Sequence, residues 1–233
     1  MRKLNVLDLF CGCGGLSEGF RLAGYNIIGG VDFNSAAIDT YRKNFPEGKG
    51  ICCDLLEMDK EKIVSMLGNI EDVNIIIGGP PCQGFSAANR YHLEEEDERN
   101  KLFFEFVKFV DMAKPEAILI ENVRGIITSN KGYAKDRIYE IFEQRGYIVN
   151  HCILNAADYG VPQNRLRNFF VMLKKEKFDF STIKKIEKIR TVEEAIGELY
   201  SLENNDSEVK EVPNAPTTEY QKYLRTKDGT LMN

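Results

Sequence analysis

The chain has 233 residues, of which 43% are hydrophobic and 29% charged, and its formal net charge is -5. This length can bury one sizeable hydrophobic core or form two small domains. No apolar run reaches the roughly 18 residues that a membrane-spanning helix needs. The negative charge also excludes a generally basic nucleic-acid-binding protein, although it does not exclude a local basic cleft.

The amino terminus does not fit a signal peptide, because Met1-Arg2-Lys3 is followed by only a short apolar segment that contains Asp8. Six cysteines are spaced neither as zinc ligands nor as a disulfide framework; they stand at positions 11, 13, 52, 53, 82 and 152. We therefore expect a reduced, cytoplasmic protein with no metal site and no membrane association.

Short apolar runs alternate with amphipathic segments over the first 175 residues. Strands are predicted at 4–10, 25–31, 50–53, 73–77, 116–120, 147–154 and 168–173, and helices at 16–23, 34–44, 57–67, 102–110 and 131–145. This alternation predicts an α/β fold with a doubly wound, mostly parallel sheet as domain 1–175. Residues 176–233 are predicted to be a polar connecting segment with one helix at 192–200, which a capping box of Thr191 and Glu194 begins.

A glycine-rich turn at 11–15 joins the first predicted strand to the first helix. Glycines let the backbone approach a ligand, and a helix N-terminus offers N–H groups. Ser17 stands where the dinucleotide fingerprint requires its third glycine, so the turn is either a nucleotide cradle or a tight strand-to-helix turn. Asp32 ends the next strand about 20 residues later and is either a ribose ligand or a charge that begins the following helix.

Two prolines precede Cys82 in the segment Gly78–Ser86, directly after a buried strand. The prolines hold the backbone rigid, which suits a nucleophile at the edge of a sheet. The alternative is that Cys82 is a small buried hydrophobic residue, as most cysteines are. The charged segment 87–100 that follows is either solvated surface or a mobile lid over the site.

Polar motifs also follow the later strands. Glu121-Asn122-Val123 ends the strand predicted at 116–120, where the carboxylate either makes a structural pair or lies in a cleft with a raised pKa. Arg165 and Arg167 alternate, so an extended backbone would direct both to one face. The alternative is a pair of surface arginines at a sheet edge.

The glycine turn, Asp32, Cys82 and Glu121 all follow strands, which predicts a site at the carboxyl edge of the sheet. Over about residues 3–173 the chain resembles the cytosine-C5 DNA methyltransferases. The motifs that carry this resemblance are Asp8-Leu9-Phe10-x-Gly12-x-Gly14-Gly15, Gly79-Pro80-Pro81-Cys82-Gln83, Glu121-Asn122-Val123, Asp158-Tyr159-Gly160 and Gln163-x-Arg165-x-Arg167. The resemblance implies a class I, Rossmann-like methyltransferase fold, S-adenosyl-L-methionine as cofactor and double-stranded DNA as partner.

The resemblance also implies the role of each site residue. Cys82 would add to C6 of cytosine, Glu121 would hold the N3 edge, Arg167 would contact O2 and Arg165 would support the catalytic loop. The cofactor would be held by Phe10, Gly12, Gly14, Gly15, Leu16, Pro80 and Leu102, with Asp32 on the ribose, Phe33 on the adenine ring and Asp54 on the adenine amino group. Four residues would contact the DNA around a flipped cytosine, namely Gln83, Ser86, Arg90 and Arg99.

Two features that the family carries after the paired arginines are not recognisable in this sequence. One is a target-recognition domain, and the other is a final helix that completes the cofactor pocket. We therefore expect the chain alone to bind the cofactor weakly and to methylate poorly. The alternative to an active enzyme is a truncated, inactive remnant or a split-enzyme subunit that needs a C-terminal partner.

The expected setting of the enzyme is a bacterial restriction-modification system. A tRNA methyltransferase of the same family is the alternative substrate assignment. A dinucleotide oxidoreductase is a more distant alternative, because it would leave the Pro-Pro-Cys segment without a role.

Overall fold

The computed structural model describes residues 3–58, 60–81, 100–199, 215–227 and 230–231. The chain divides into two compact units, residues 1–153 with 167–180 and residues 154–166 with 181–233. The two domains predicted from the sequence, with their boundary at residue 175, stay a prediction.

A seven-stranded sheet in the order β3-β2-β1-β4-β5-β7-β6 organises the first unit. Its strands are β1 (Asn5–Leu9), β2 (Asn26–Asp32), β3 (Lys49–Cys52), β4 (Ile75–Gly78), β5 (Ala117–Val123), β6 (Ile148–Asn155, which ends in the second unit) and β7 (Leu166–Leu173). Strands β1 to β5 pair in parallel, whereas β7 runs antiparallel to β5. The predicted α/β fold with a mostly parallel sheet is confirmed.

Helices cover both faces of this sheet, as parallel strands require. The helices are α1 (Gly15–Leu22), α2 (Ser35–Asn44), α3 (Lys60–Leu67), α4 (Lys101–Ala113) and α5 (Tyr133–Glu143). On one face, α1 and α2 pack on β1, β2 and β4 through a cluster that includes Ile38 and Tyr41. On the other face, α4 and α5 bury a larger cluster centred on Phe103, Phe106 and Phe142.

Several helix boundaries follow from local sequence. The Asn34 side chain accepts a hydrogen bond from the Ala37 N–H at 3.0 Å and so begins α2. Helix α4 ends at Ala113 because Lys114 takes a left-handed conformation with φ 48° and Pro115 follows. The predicted helix 131–145 shortens to Tyr133–Glu143, because Gly132 at φ 88° separates it from a 3₁₀ turn at Ser129–Gly132.

The second unit contains α6 (Val192–Ile196), a 3₁₀ turn at Gly197–Leu199, α7 (Glu219–Arg225) and a short antiparallel pair, β8 (Thr226–Lys227) with β9 (Thr230–Leu231). The capping box of Thr191 and Glu194 is confirmed, with distances of 2.9 and 3.1 Å. Helix α7 was not predicted. It begins with a second capping box, of Thr218 and Gln221.

Among the described residues, no helix has both the length and the apolar character needed to cross a lipid bilayer.

Candidate active site

The carboxyl ends of the parallel strands β1 to β5 meet at one edge of the sheet, where most of the predicted site residues lie. A cavity of about 450 Å³ opens at this edge. Five residues predicted to hold the cofactor line it, namely Phe10, Asp32, Phe33, Asp54 and Leu102. The volume, two carboxylates and three apolar side chains suit a ligand with both an aromatic part and hydroxyl or amino donors.

Four further residues line the same cavity and were not predicted: Cys53, Leu55, Gly79 and Pro81. Each stands one position from a predicted residue, and Gly79 and Pro81 also belong to the Gly-Pro-Pro-Cys-Gln motif. Burial raises the pKa of the Cys53 thiol. Cys53 is therefore poorly suited to react as a thiolate, although it faces the cavity.

Pro80, Gly12, Gly14, Gly15 and Leu16 do not line this cavity in the described structure, where Pro81 takes the place expected of Pro80. Gly15 and Leu16 instead line a separate apolar groove on one face of the sheet. The cofactor roles of these residues therefore stay predictions.

The glycine turn needs its glycines for different reasons. Gly12 has φ 53°, a left-handed conformation, and donates its N–H to Asp32 Oδ2 at 2.9 Å. Gly14 has φ 97°, and a Cβ there would lie 2.2 Å from the Phe45 ring and 3.0 Å from the Tyr41 ring. The turn is therefore held against α2 at Gly14 and against the end of β2 at Gly12.

Asp32 and Asp54 both combine a backbone role with a place in the cavity wall. Asp32 Oδ1 accepts from the Asn34 N–H at 2.9 Å while Oδ2 accepts from Gly12. Asp54 Oδ1 accepts from the Leu56 N–H at 3.0 Å. Phe33, which follows Asp32 and also lines the cavity, is 75% exposed. This exposure is unusual for a large aromatic side chain and suits stacking on a ligand.

Glu121 and Arg167 form an ion pair at the same edge, with Arg167 Nε 2.9 Å from Glu121 Oε1 and side chains 24% and 25% exposed. The antiparallel register produces this pair, because Val123 lies opposite Arg167 and Glu121 opposite Phe169. The two side chains are thus fixed together although 46 positions separate them in the chain.

The Glu-Asn-Val motif also holds the start of the Pro-Pro-Cys segment. Asn122 Nδ2 donates to the Pro80 carbonyl at 2.9 Å. A methyl group placed on Gly79 would lie 3.5 Å from Glu121 Oε2. The backbone that leads into Cys82 therefore runs beside the Glu121 carboxylate. Cys82 and the predicted DNA-contacting residues Gln83, Ser86, Arg90 and Arg99 lie outside the described residues.

Arg165 belongs to the second unit and precedes β7. Its N–H donates to Asn155 Oδ1 at 3.0 Å, and its carbonyl accepts from the Ala156 N–H at 3.0 Å. The strand begins at Leu166, one residue after Arg165. The expectation that an extended backbone would direct Arg165 and Arg167 to one face stays a prediction. The support of the catalytic loop by Arg165 also stays a prediction.

Comparisons with known proteins agree on one family. Residues 4–231 match the family model described as C-5 cytosine-specific DNA methylase. The chain is 42% identical to the type II methyltransferase M.DdeI of Desulfomicrobium norvegicum over 241 residues, which cover 99% of this chain and 57% of that protein. It is 41% identical to the type II methyltransferase M1.HphI of Haemophilus parahaemolyticus over 170 residues, covering 72% of this chain and 45% of that protein.

A solved structure is similar as well. It is described as a putative DNA modification methyltransferase encoded within an Escherichia coli prophage, and it matches with a TM-score of 0.71 and 33% identity over 86% of this chain and 56% of that one. The chain therefore spans about half the length of the curated relatives it matches.

The sheet order, the antiparallel β7 and the cavity at the carboxyl edge define a Rossmann-like fold of the class I methyltransferase type. Within this class, the chain belongs to the C-5 cytosine-specific DNA methylase family.

Proposed function

We propose that the chain is the catalytic part of a DNA cytosine-C5 methyltransferase that uses S-adenosyl-L-methionine. The observation that carries this proposal is the Glu121–Arg167 ion pair, which lies beside the Pro80 backbone that leads to Cys82. Gly79 lines the cofactor cavity and lies beside Glu121, so a base held by Glu121 and Arg167 would lie close to that cavity. The relatives support a bacterial, cytoplasmic enzyme that protects DNA in a restriction-modification system.

The residues of the cavity fit the proposed cofactor. Asp32 and Asp54 offer carboxylate oxygens to hydroxyl and amino donors, and Phe10, Phe33 and Leu102 supply apolar walls. When bound, S-adenosyl-L-methionine supplies an electrophilic methyl group on a sulfonium. Gly79 lines the same cavity and lies beside Glu121, so the residues that would hold the cofactor adjoin the proposed base site.

The proposed chemistry begins at Cys82. Its thiolate would form a bond to C6 of a flipped cytosine, which moves electron density toward C5 and N3. Glu121 would hydrogen-bond to N3 and stabilise the charge that develops there. Arg167 would hold the exocyclic oxygen O2. After C5 gains its methyl group, a base takes the C5 proton, and the electrons of that C–H bond expel the Cys82 sulfur.

Trapping with DNA that contains 5-fluorocytosine tests this proposal, because fluorine blocks the final proton removal. In the presence of S-adenosyl-L-methionine and the C-terminal part of a close relative, the chain should form a covalent adduct visible on a denaturing gel. Cys82→Ala should abolish the adduct, whereas Cys152→Ala, which changes a cysteine on β6, should not. An adduct that survives Cys82→Ala would contradict the proposal.

A second groove supports the proposal that activity needs a C-terminal partner. This apolar groove, of about 420 Å³, lies between α1 and the strands β4, β5 and β7, and Leu16, Phe20, Ile75, Leu119, Val171 and Leu173 line part of it. Helices normally cover both faces of a parallel sheet. An apolar helix from the portion of the relatives that this chain does not span would complete that layer.

A further inference from the structure

Helix α1 begins without a side-chain cap of its own. Gly14 occupies the N-cap position in a left-handed conformation and makes no side-chain cap hydrogen bond. In most helices the N-cap side chain accepts a hydrogen bond from the second or third backbone N–H of the first turn. The first turn of α1 therefore needs its acceptor from another element.

Asp8, on β1, supplies that acceptor. Its Oδ2 accepts from the Ser17 N–H at 3.2 Å and from the Ser17 hydroxyl at 2.7 Å. Ser17 is the third residue of α1. Its N–H, which donates to Asp8, is one of those that usually donate to the side chain of the N-cap residue. Asp8 and Ser17 are both fully buried.

Among the described residues, three titratable groups lie near Asp8 and Ser17. The Tyr41 hydroxyl of α2 lies 3.2 Å from Ser17 Oγ, Cys11 lies in the glycine turn and Asp32 ends β2. Burial outweighs the two hydrogen bonds from Ser17 and raises the pKa of Asp8 to about 7. Burial also raises the pKa values of Cys11 and Tyr41, which therefore stay neutral near pH 7. Asp8 Oδ1 is buried and has no hydrogen-bond partner among the described residues.

We propose that Asp8 is a positioning residue for the cofactor site, which fastens the first turn of α1 to the end of β1 and so fixes the glycine turn between them. The turn is then held at two points, through Asp8 to Ser17 and through Gly12 to Asp32. Phe10, which lines the cofactor cavity, lies between these points. Only the identity of the cofactor rests on the proposed function.

The protonated carboxyl group is the form that holds the turn. It keeps one oxygen as the acceptor for Ser17 and places no charge in the protein interior. Opening of the turn would expose Asp8 to water, where a carboxyl group ionises near pH 4. Rising pH therefore favours the open turn, and the effect levels off above about pH 7.

Amide hydrogen exchange of the full chain without cofactor tests the positioning role. Ser17→Ala and Asp8→Ala should each speed exchange in residues 10–17 by about tenfold, the scale of one hydrogen bond to a carboxyl group. Asp8→Asn keeps the acceptor oxygen and should retain slow exchange, and Glu18→Gln, an exposed change in the same turn, is the matched control. An equal rise of exchange along β4 and β5 would overturn the proposal, because Asp8 would then act only in general packing.

The pH dependence of amide exchange distinguishes a role of the Asp8 proton from a role of Asp8 in packing alone. Protection of residues 10–17, corrected for the intrinsic exchange rate, should fall in the wild type as pH rises toward 7 and should stay constant in Asp8→Asn. A profile that is the same in both proteins would overturn the role of the proton.

Binding of S-adenosyl-L-methionine measured by calorimetry should be about tenfold weaker in Ser17→Ala and close to wild type in Asp8→Asn. Equal affinity in Ser17→Ala and wild type would contradict the link to the cofactor site. If the wild-type chain bound no cofactor even after addition of the C-terminal part of a close relative, the proposed function would fail, while the exchange experiments would still decide the role of Asp8.

Discussion

At the scale of single residues, Gly14 shows how closely the glycine turn is fitted. Its φ of 97° suits glycine, and a Cβ there would overlap the Phe45 ring at 2.2 Å. Gly14→Ala should therefore lower the free energy of unfolding by about 2–4 kcal/mol, the combined scale of overpacking and a left-handed alanine. Urea unfolding followed by circular dichroism measures this change.

Gly19→Ala is the matched control for that prediction. Gly19 lies within α1, and a Cβ there would meet nothing within 4 Å. Alanine in the interior of a helix is favoured over glycine, so this variant should gain about 0.5–1 kcal/mol. A similar decrease of the unfolding free energy in both variants would contradict the prediction. It would show that any methyl group added to this segment is destabilising, whether or not it contacts Phe45.

At the scale of elements, the contact between α5 and β6 depends on a neutral histidine. The Tyr139 hydroxyl lies 2.8 Å from His151 Nδ1, and the His151 ring packs against Phe170. Burial, with a smaller contribution from Lys135, lowers the pKa of His151. The unfolded chain therefore takes up a proton more readily as pH falls below about 6.5, and His151 makes the fold less stable there.

Replacing that histidine should remove part of the acid sensitivity. Between pH 7.5 and pH 5 the wild type should lose more unfolding free energy than His151→Gln does. Urea titrations at the two pH values measure the difference, and Tyr139→Phe, which keeps the histidine, should follow the wild type. Parallel losses in wild type and His151→Gln would contradict the prediction.

Structural elements that depend on interactions between neighbouring residues could be predicted from the sequence. Those that depend on contacts between distant parts of the chain could not. The helix that begins at Asn34 and the capping box at Thr191 need only neighbouring residues, and both were predicted. The capping box at Thr218 and Gln221 has the same kind of signal, yet helix α7 was missed because the surrounding segment is polar. The direction of β7 has no local signature, since it depends on pairing with β5.

The same distinction applies to the site. Asp32 and Asp54 were predicted because an acidic residue that ends a strand is a recognisable pattern. The ion pair of Glu121 with Arg167 was not, although both residues were singled out, because only the register of β5 and β7 brings them together. The hydrogen bond from Ser17 to Asp8 also depends on tertiary structure. In the sequence, Ser17 was noted only because it replaces the third glycine of the dinucleotide fingerprint.

At the scale of the whole molecule, the length of the relatives predicts incomplete activity. The chain covers 57% of M.DdeI and 45% of M1.HphI, and it leaves an apolar groove beside α1. The purified 233-residue chain should methylate DNA at no more than a few per cent of the rate reached after adding the C-terminal part of a close relative. Transfer of a radioactive methyl group to DNA measures both rates.

A groove variant tests whether the added part acts through this surface. Leu119→Glu places a charge in the groove and should weaken rescue by the C-terminal part, because burying an unpaired carboxylate is costly. Glu105→Gln, on a helix that packs on the other face, is the control. Robust sequence-specific methylation by the chain alone would contradict the need for a partner.

In the proposed reaction, the antiparallel pairing of β5 and β7 would make strand register a determinant of catalysis. Parallel strands bring their ends to the active edge, whereas β7 brings its beginning, and Arg167 is its second residue. A slip of one residue would turn the guanidinium to the opposite face of the sheet, and a slip of two would move it by about 7 Å along the strand. Buried apolar side chains such as Phe170 and Met172 thus help to keep Arg167 beside Glu121, because they oppose a shift of β7 in the sheet.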